Sequence, residues 1–216
     1  MTKFIIKHFI PDYENVKNAA VRERYGVVSG AVGILCNIFL FLVKLTIGLI
    51  TSSISIAADA VNNLSDALSS VISLLGFKLA NKAPDEAHPF GYGRTEYLAG
   101  LLVAFFIGVV GLEFAKSSVN RIINPEPVLF SPVLLLILAI SILVKLWLGV
   151  FNKELGTRIN STVLLATMQD SLNDVITTSV VIVGMIASRF TSLPIDGYIG
   201  LIVGLFILYS GVGIAK

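Results

Sequence analysis

An all-α integral membrane fold, a six-transmembrane-helix bundle with both termini cytoplasmic, is predicted by three features of this sequence. Hydrophobic residues make up 55% of the chain, charged residues only 14%, and the mean hydropathy of +0.86 lies far outside the soluble globular range. Windows of about 20 apolar residues, the length needed to cross a bilayer, recur along the whole chain. Lys and Arg concentrate on one set of connections, which orients the spans.

Residues 1–26 carry Lys3, Lys7, Lys17, Arg22 and Arg24 but no signal-peptide apolar core, so they are expected to be a retained, partly amphipathic cytoplasmic segment. Residues 27–216 are expected to form the six-helix domain, with spans near 27–50, 54–79, 97–120, 131–151, 161–188 and 196–215. Thr51, Ser52 and Ser53 leave room only for a tight turn, so the first two spans should form a hairpin. The second connection adds Lys78, Lys82 and Arg94 to the cytoplasmic side, and the fourth adds Lys153 and Arg158. The opposite side offers little more than Arg121 and Arg189. Gly200-x-x-x-Gly204 in the sixth span permits close helix approach without identifying an interface.

A net charge of +2 without a basic stripe argues against nucleic acid as a partner. The single Cys36 excludes an internal disulfide and a cysteine zinc cluster. No Gly-x4-Gly-Lys-Ser/Thr pattern accompanies the spans, which argues against an ATP-driven pump.

The chemistry lies in polar residues that an ordinary span avoids. Asn62 with Asp66 in the second span and Asp170 with Asp174 in the fifth are i, i+4 pairs, each on one helix face. A carboxylate at mid-bilayer costs at least roughly 2.5–3.5 kcal/mol, so three at one depth point to an ion pathway or a bound cation. Asp66 lies about 18 Å and Asp174 about 20 Å from the outer ends of their spans at 1.5 Å per residue. The two helices run in opposite directions, so their acids meet at one level. Interhelical hydrogen bonding alone would need only Ser, Thr or Asn. The four side chains offer only oxygen ligands, a set that leans toward Mn²⁺, while His8 and His88 lie outside the spans.

Other polar residues receive narrower readings. Lys44 and Lys145 are expected to snorkel toward an interface, ahead of any role in balancing the acids. Glu113 is expected to pair with Lys116 ahead of lining an exit path, and Asp59 is either an outer-vestibule ligand or a residue favoured by the helix dipole. An intramembrane aspartyl protease is disfavoured because two acids share one helix and Gly-x-Gly-Asp is missing. A passive cation channel is a further alternative.

The segments SISIAADAVNNLSDALSS (53–70), HPFGYGRTEYLAG (88–100) and ATMQDSLNDVITTS (166–179) resemble the transmembrane domain of the cation diffusion facilitators, divalent-metal/proton antiporters, over essentially the whole chain. The resemblance implies a transported metal held by Asn62, Asp66, Asp170 and Asp174, with no cofactor and protons as the counter-ion. It implies an exporter, not an enzyme, that works by alternating access in the lipid bilayer. Asp170 stands where zinc-transporting members usually have His, which resembles the manganese-type branch and favours Mn²⁺ over Zn²⁺ and Fe²⁺; a zinc or iron(II) transporter is the alternative. Asp85, His88 and Tyr92 match a secondary metal site of some zinc-transporting relatives, with Tyr92 in place of a histidine, and His88-Pro89-Phe90-Gly91 is read first as a turn. The family's cytoplasmic C-terminal domain is expected to be absent because the sequence stops at Lys216, which weakens the case for a homodimer. The lack of organelle-targeting sequence suits a bacterial plasma membrane.

Overall fold

The computed structural model describes residues 2–80, 93–191 and 193–215. Among them there are seven helices and no strands: α1 (Thr2–Phe9), α2 (Ala19–Thr51), α3 (Ile54–Ala80), α4 (Gly93–Ile123), α5 (Pro132–Ile159), α6 (Thr162–Ala187) and α7 (Ile195–Ala215). Asp85, His88 and Tyr92 lie outside the described residues.

Among the described residues, five helical stretches are long and apolar enough to cross a membrane: Ala20–Thr51, Leu101–Ile123, Pro132–Ile159, Thr162–Ala187 and Ile195–Gly213. The protein is therefore an all-α integral membrane protein. Leu35, Phe105, Leu143, Val183 and Tyr209 are among the large apolar side chains left facing outward, as lipid-facing positions require. The helix α3 is 27 residues long but carries Asp59, Asn62, Asn63 and Asp66 in its middle, and it falls outside that apolar set.

Its position explains how it tolerates them. The most extensive helix pairs are α2 with α3, α4 with α7 and α5 with α6, and α3 also touches α4, α6 and α7. A helix with neighbours on every side can direct polar groups into protein instead of lipid.

Local chemistry sets the joints. Ser52 ends α2 in the left-handed conformation (φ 54°), and Ser53 N–H returns to the Gly48 carbonyl at 3.0 Å, which closes the expected hairpin. The N-terminus of α3 is capped from a distant part of the chain. Asp196, in the first turn of α7, accepts from Ile54 N–H at 2.9 Å, Ser53 Oγ at 2.5 Å and Ser55 Oγ at 2.6 Å. At the α5–α6 joint, Asn160 is left-handed (φ 50°) and Ser161 Oγ caps Leu164 N–H at 3.4 Å.

The helix α2 begins at Ala19, so residues 19–26 continue the first span without a break. Ahead of it, Ile6 and Ile10 pack with Val21, Tyr25, Leu148, Phe151, Leu155, Ile159 and Leu164, which seats the N-terminal segment against α5 and the start of α6. A second core of Ile47, Ile56, Ile107, Leu138, Val181, Met185, Ile199, Val203 and Ile207 closes the opposite half of the bundle.

Gly200 and Gly204 mark a real interface, that of α7 with α4. A Cβ on Gly204 would lie 3.1 Å from the Ala115 backbone nitrogen, and one on Gly200 would lie 2.7 Å from Ser118 Oγ and 3.0 Å from Ile54 Cγ2. Gly204→Leu should therefore destabilise the bundle by about 1–3 kcal/mol, the usual range for overpacking, whereas Gly108→Ala, with nothing within 4 Å of its Cβ, should not. Thermal unfolding in detergent, followed by size-exclusion chromatography, checks this; equal melting of the two variants would contradict the close packing.

Candidate functional site

On α3, residues 59, 62, 63, 66 and 70 recur at three- and four-residue steps and form one polar face. On α6, residues 170, 174 and 178 do the same. Asp59, Asn62, Asn63, Asp174 and Thr178 are buried, Asp66 keeps 27% of its side chain accessible, and Asp170 is exposed.

The two faces meet. Asn62 Nδ2 donates to Asp174 Oδ1 at 2.5 Å. Between the carboxylates stands Lys145 of α5, which is 2% exposed. Its Nζ donates to Asp66 Oδ2 at 2.9 Å, to Asp174 Oδ2, and to Asn37 Oδ1 of α2 at 2.6 Å. Three acceptors use all three ammonium protons. Four helices thus converge on one point, and Asp66 and Asp174 stand at one level because they share one cation.

This cluster lines a cavity of ≈ 440 Å³ whose walls come from α2, α3, α5, α6 and α7. The lining runs from Asp66, Lys145 and Asp174 past Ser69, Ser70 and Thr167 to Gly26, Ser161 and Gly213. Those last residues lie near the start of α2, the start of α6 and the end of α7, so the cavity leads to the end of the bundle where α2 begins and α7 finishes. Asp170 lines the same wall, one turn closer to that end than Asp174, and forms no hydrogen bond or ion pair among the described residues.

A second buried cluster lies on the far side of the first. Lys44 Nζ is 2.8 Å from Asp59 Oδ2 and donates to Thr178 Oγ1 at 2.8 Å, and Thr178 Oγ1 donates to Asp59 Oδ2 at 2.9 Å. Lys44 and Asp59 are 0% exposed and none of the three lines the cavity. The cavity ends at the first cluster, and the second backs it.

These positions overturn several expectations. Lys44 and Lys145 do not snorkel: each is buried against carboxylates of α3, because a buried cation with a hydrogen-bonded counter-charge avoids an unpaired charge in a low dielectric. Asp59 is neither a vestibule ligand nor a dipole-favoured surface residue; it is the counter-charge of Lys44. Glu113 and Lys116 are both exposed and form no ion pair with one another among the described residues.

The candidate ligands therefore divide. Lys145 brings Asp66 and Asp174 together and Asn62 joins them through its hydrogen bond to Asp174, while Asp170 stands apart on the wall. Among the described residues no three acidic, His or Cys side chains converge closely enough to hold a metal ion as they stand, since the ammonium of Lys145 fills the space between Asp66 and Asp174. Sequence reasoning missed Asn37 and Thr178, and for Lys145 it ranked snorkelling ahead of the balancing role that the structure gives it. The available signal was charge balance: two isolated lysines in apolar helices match two acids on α3, Asp59 and Asp66.

Comparison with known proteins agrees with this architecture. Residues 31–216 match the cation efflux transmembrane domain. An uncharacterized transporter of Methanocaldococcus jannaschii is 34% identical over 174 residues, covering 81% of this chain and 62% of that protein. The manganese efflux system protein MneS of Bacillus subtilis is 31% identical over 199 residues, 90% of this chain and 69% of its own length. The cation-efflux pump FieF of Klebsiella pneumoniae is 29% identical over 171 residues, 79% of this chain and 57% of its own. This chain spans about three fifths of the first of these relatives. With the family match running from residue 31 through both polar pairs to residue 216, the chain belongs to the cation efflux family, by way of that family's transmembrane domain.

Proposed function

We propose that this chain is the transport domain of a secondary transporter that exports a divalent cation, Mn²⁺ ahead of Zn²⁺ and Fe²⁺, from the cytoplasm in exchange for protons by alternating access. The observation that carries this reading is the convergence of Asp66 and Asp174, with Asn62 hydrogen-bonded to Asp174, at the inner end of a cavity that leads to one end of the bundle. Asp170 stands on the approach.

Six spans and cytoplasmic termini fit this reading. At 1.5 Å per residue α3 is about 40 Å long, enough to cross, and its central placement covers its polar face. The start of α2 and the end of α7 share the cavity mouth, and the Lys and Arg residues of the N-terminal segment support a cytoplasmic position for it. The described conformation is then the inward-facing one, with the Lys44, Asp59 and Thr178 cluster closing the outer side. Resemblance to MneS and FieF supports a bacterial plasma membrane.

The ligands are all oxygen, which suits Mn²⁺ better than Zn²⁺. Proton exchange follows from competition, since Asp66, Asp170 and Asp174 bind either protons or the cation, while the Asn62 amide only supplies a carbonyl oxygen. On the inner side the metal displaces protons; on the outer side protons displace the metal. The name of MneS, a manganese efflux protein, points the same way.

Asp174→Asn should abolish Mn²⁺ flux driven by an imposed pH gradient in proteoliposomes, and undiminished flux would remove Asp174 from the pathway. Asp170→His should raise the Zn²⁺ to Mn²⁺ transport ratio by about tenfold, the effect of roughly 1.4 kcal/mol from one softer ligand. An unchanged ratio in competition assays would mean that ligand type does not set selectivity here.

A further inference from the structure

Lys145 and Lys44 are both buried and both paired with an aspartate of α3, yet they occupy different places. Lys44 is buried behind the site, in contact with Asp59 and Thr178, and does not line the cavity. Lys145 forms part of the cavity wall, and its ammonium bridges the two carboxylates that the proposed function assigns to the transported ion.

A divalent cation and an ammonium cannot share that space. Two like charges a few ångströms apart repel strongly in a low dielectric, and the oxygens of Asp66 and Asp174 that would coordinate a metal are those Lys145 now uses. Loading therefore requires Lys145 to withdraw. Its four-carbon stem is flexible, and Asn37 Oδ1, already 2.6 Å from Nζ, is a neutral acceptor on the neighbouring helix that can hold the head group while the carboxylates are released.

The same charge solves the opposite problem. After metal leaves, Asp66 and Asp174 would face each other uncompensated, an arrangement that costs far more in a protein interior than in water. The returning ammonium neutralises them.

We infer that Lys145 is a tethered counter-cation of the transport site: it occupies the space between Asp66 and Asp174 when no metal is bound, and it competes with the metal for those oxygens, lowering affinity and hastening release. This rests on the transport reading of Asp66 and Asp174. It makes Lys145 a positioning residue, since it acts through the carboxylates and never touches the metal.

The test is calorimetric titration of the purified chain in detergent with MnCl2, together with Mn²⁺ flux in proteoliposomes, for wild type, Lys145→Met, Lys145→Arg and Asp174→Asn. Removing the competing charge in Lys145→Met should tighten Mn²⁺ binding by about tenfold and lower KM and maximal rate together, because release slows. Lys145→Arg keeps a cation in place and should bind Mn²⁺ no tighter than wild type. Weaker or unchanged binding in Lys145→Met overturns the inference, and so does tighter binding in Lys145→Arg, which remains readable should the neutral variant fail to fold. Asp174→Asn separates the two levels. If it loses Mn²⁺ binding while Lys145→Met does not tighten it, only the role of Lys145 falls; if it binds Mn²⁺ as wild type does, the transport site itself falls and Lys145 with it.

Discussion

A carboxylate inside a helix bundle must meet a counter-charge within hydrogen-bonding reach, and that requirement arranges the four helices α2, α3, α5 and α6. Asp66 and Asp174 are satisfied by one ammonium, Lys145, which also takes the Asn37 carbonyl oxygen, so one side chain ties all four helices at a single level. Lys44 with Asp59 and Thr178 ties α2, α3 and α6 again farther along. Breaking either pair on one side only would leave an uncompensated buried charge, which is strongly destabilising. The apolar exteriors of the helices give no comparable direction, because lipid accepts any of their rotations equally.

The polar core also accounts for the shape around it. The helix α3 is too polar to face lipid, so it sits among α2, α4, α6 and α7. Its N-terminus needs its own partner, and Asp196 supplies one by capping Ile54 while holding Ser53 and Ser55. Close contact of α7 with α4 at Gly200 and Gly204 keeps that cap in place. That end of the bundle is held together by these caps and by the Arg121 contacts to Glu126 and the Ser52 carbonyl, each at 2.6 Å, while the cavity at Lys145 leads to the other end.

Much of this was legible in the sequence, for identifiable reasons. Apolar windows separate helices from turns, and the polar pairs Asn62 with Asp66 and Asp170 with Asp174 stand out because an apolar run has no other use for them. The tight hairpin after α2 was visible in Thr51, Ser52 and Ser53. What faces what was not visible. An isolated Lys in an apolar helix reads the same whether it snorkels or pairs, and only the tertiary fold puts Lys145 79 residues away from Asp66 in sequence yet 2.9 Å away in space. The cap from Asp196 to Ile54 spans 142 residues and left no local trace. Asp170 illustrates the converse: its spacing from Asp174 places it on the right face, but its position one turn nearer the cavity mouth leaves it without the partner that Asp174 has.

On the proposed function, the carboxylates now bridged by Lys145 are those that take the transported ion. Anomalous diffraction at the manganese edge, from crystals of the chain grown with Mn²⁺, addresses it most directly. One strong peak is expected between Asp66 and Asp174, with the Asn62 amide oxygen and Asp170 drawn toward it and the Lys145 ammonium withdrawn toward Asn37. A peak elsewhere, with Lys145 still bridging Asp66 and Asp174, would contradict it.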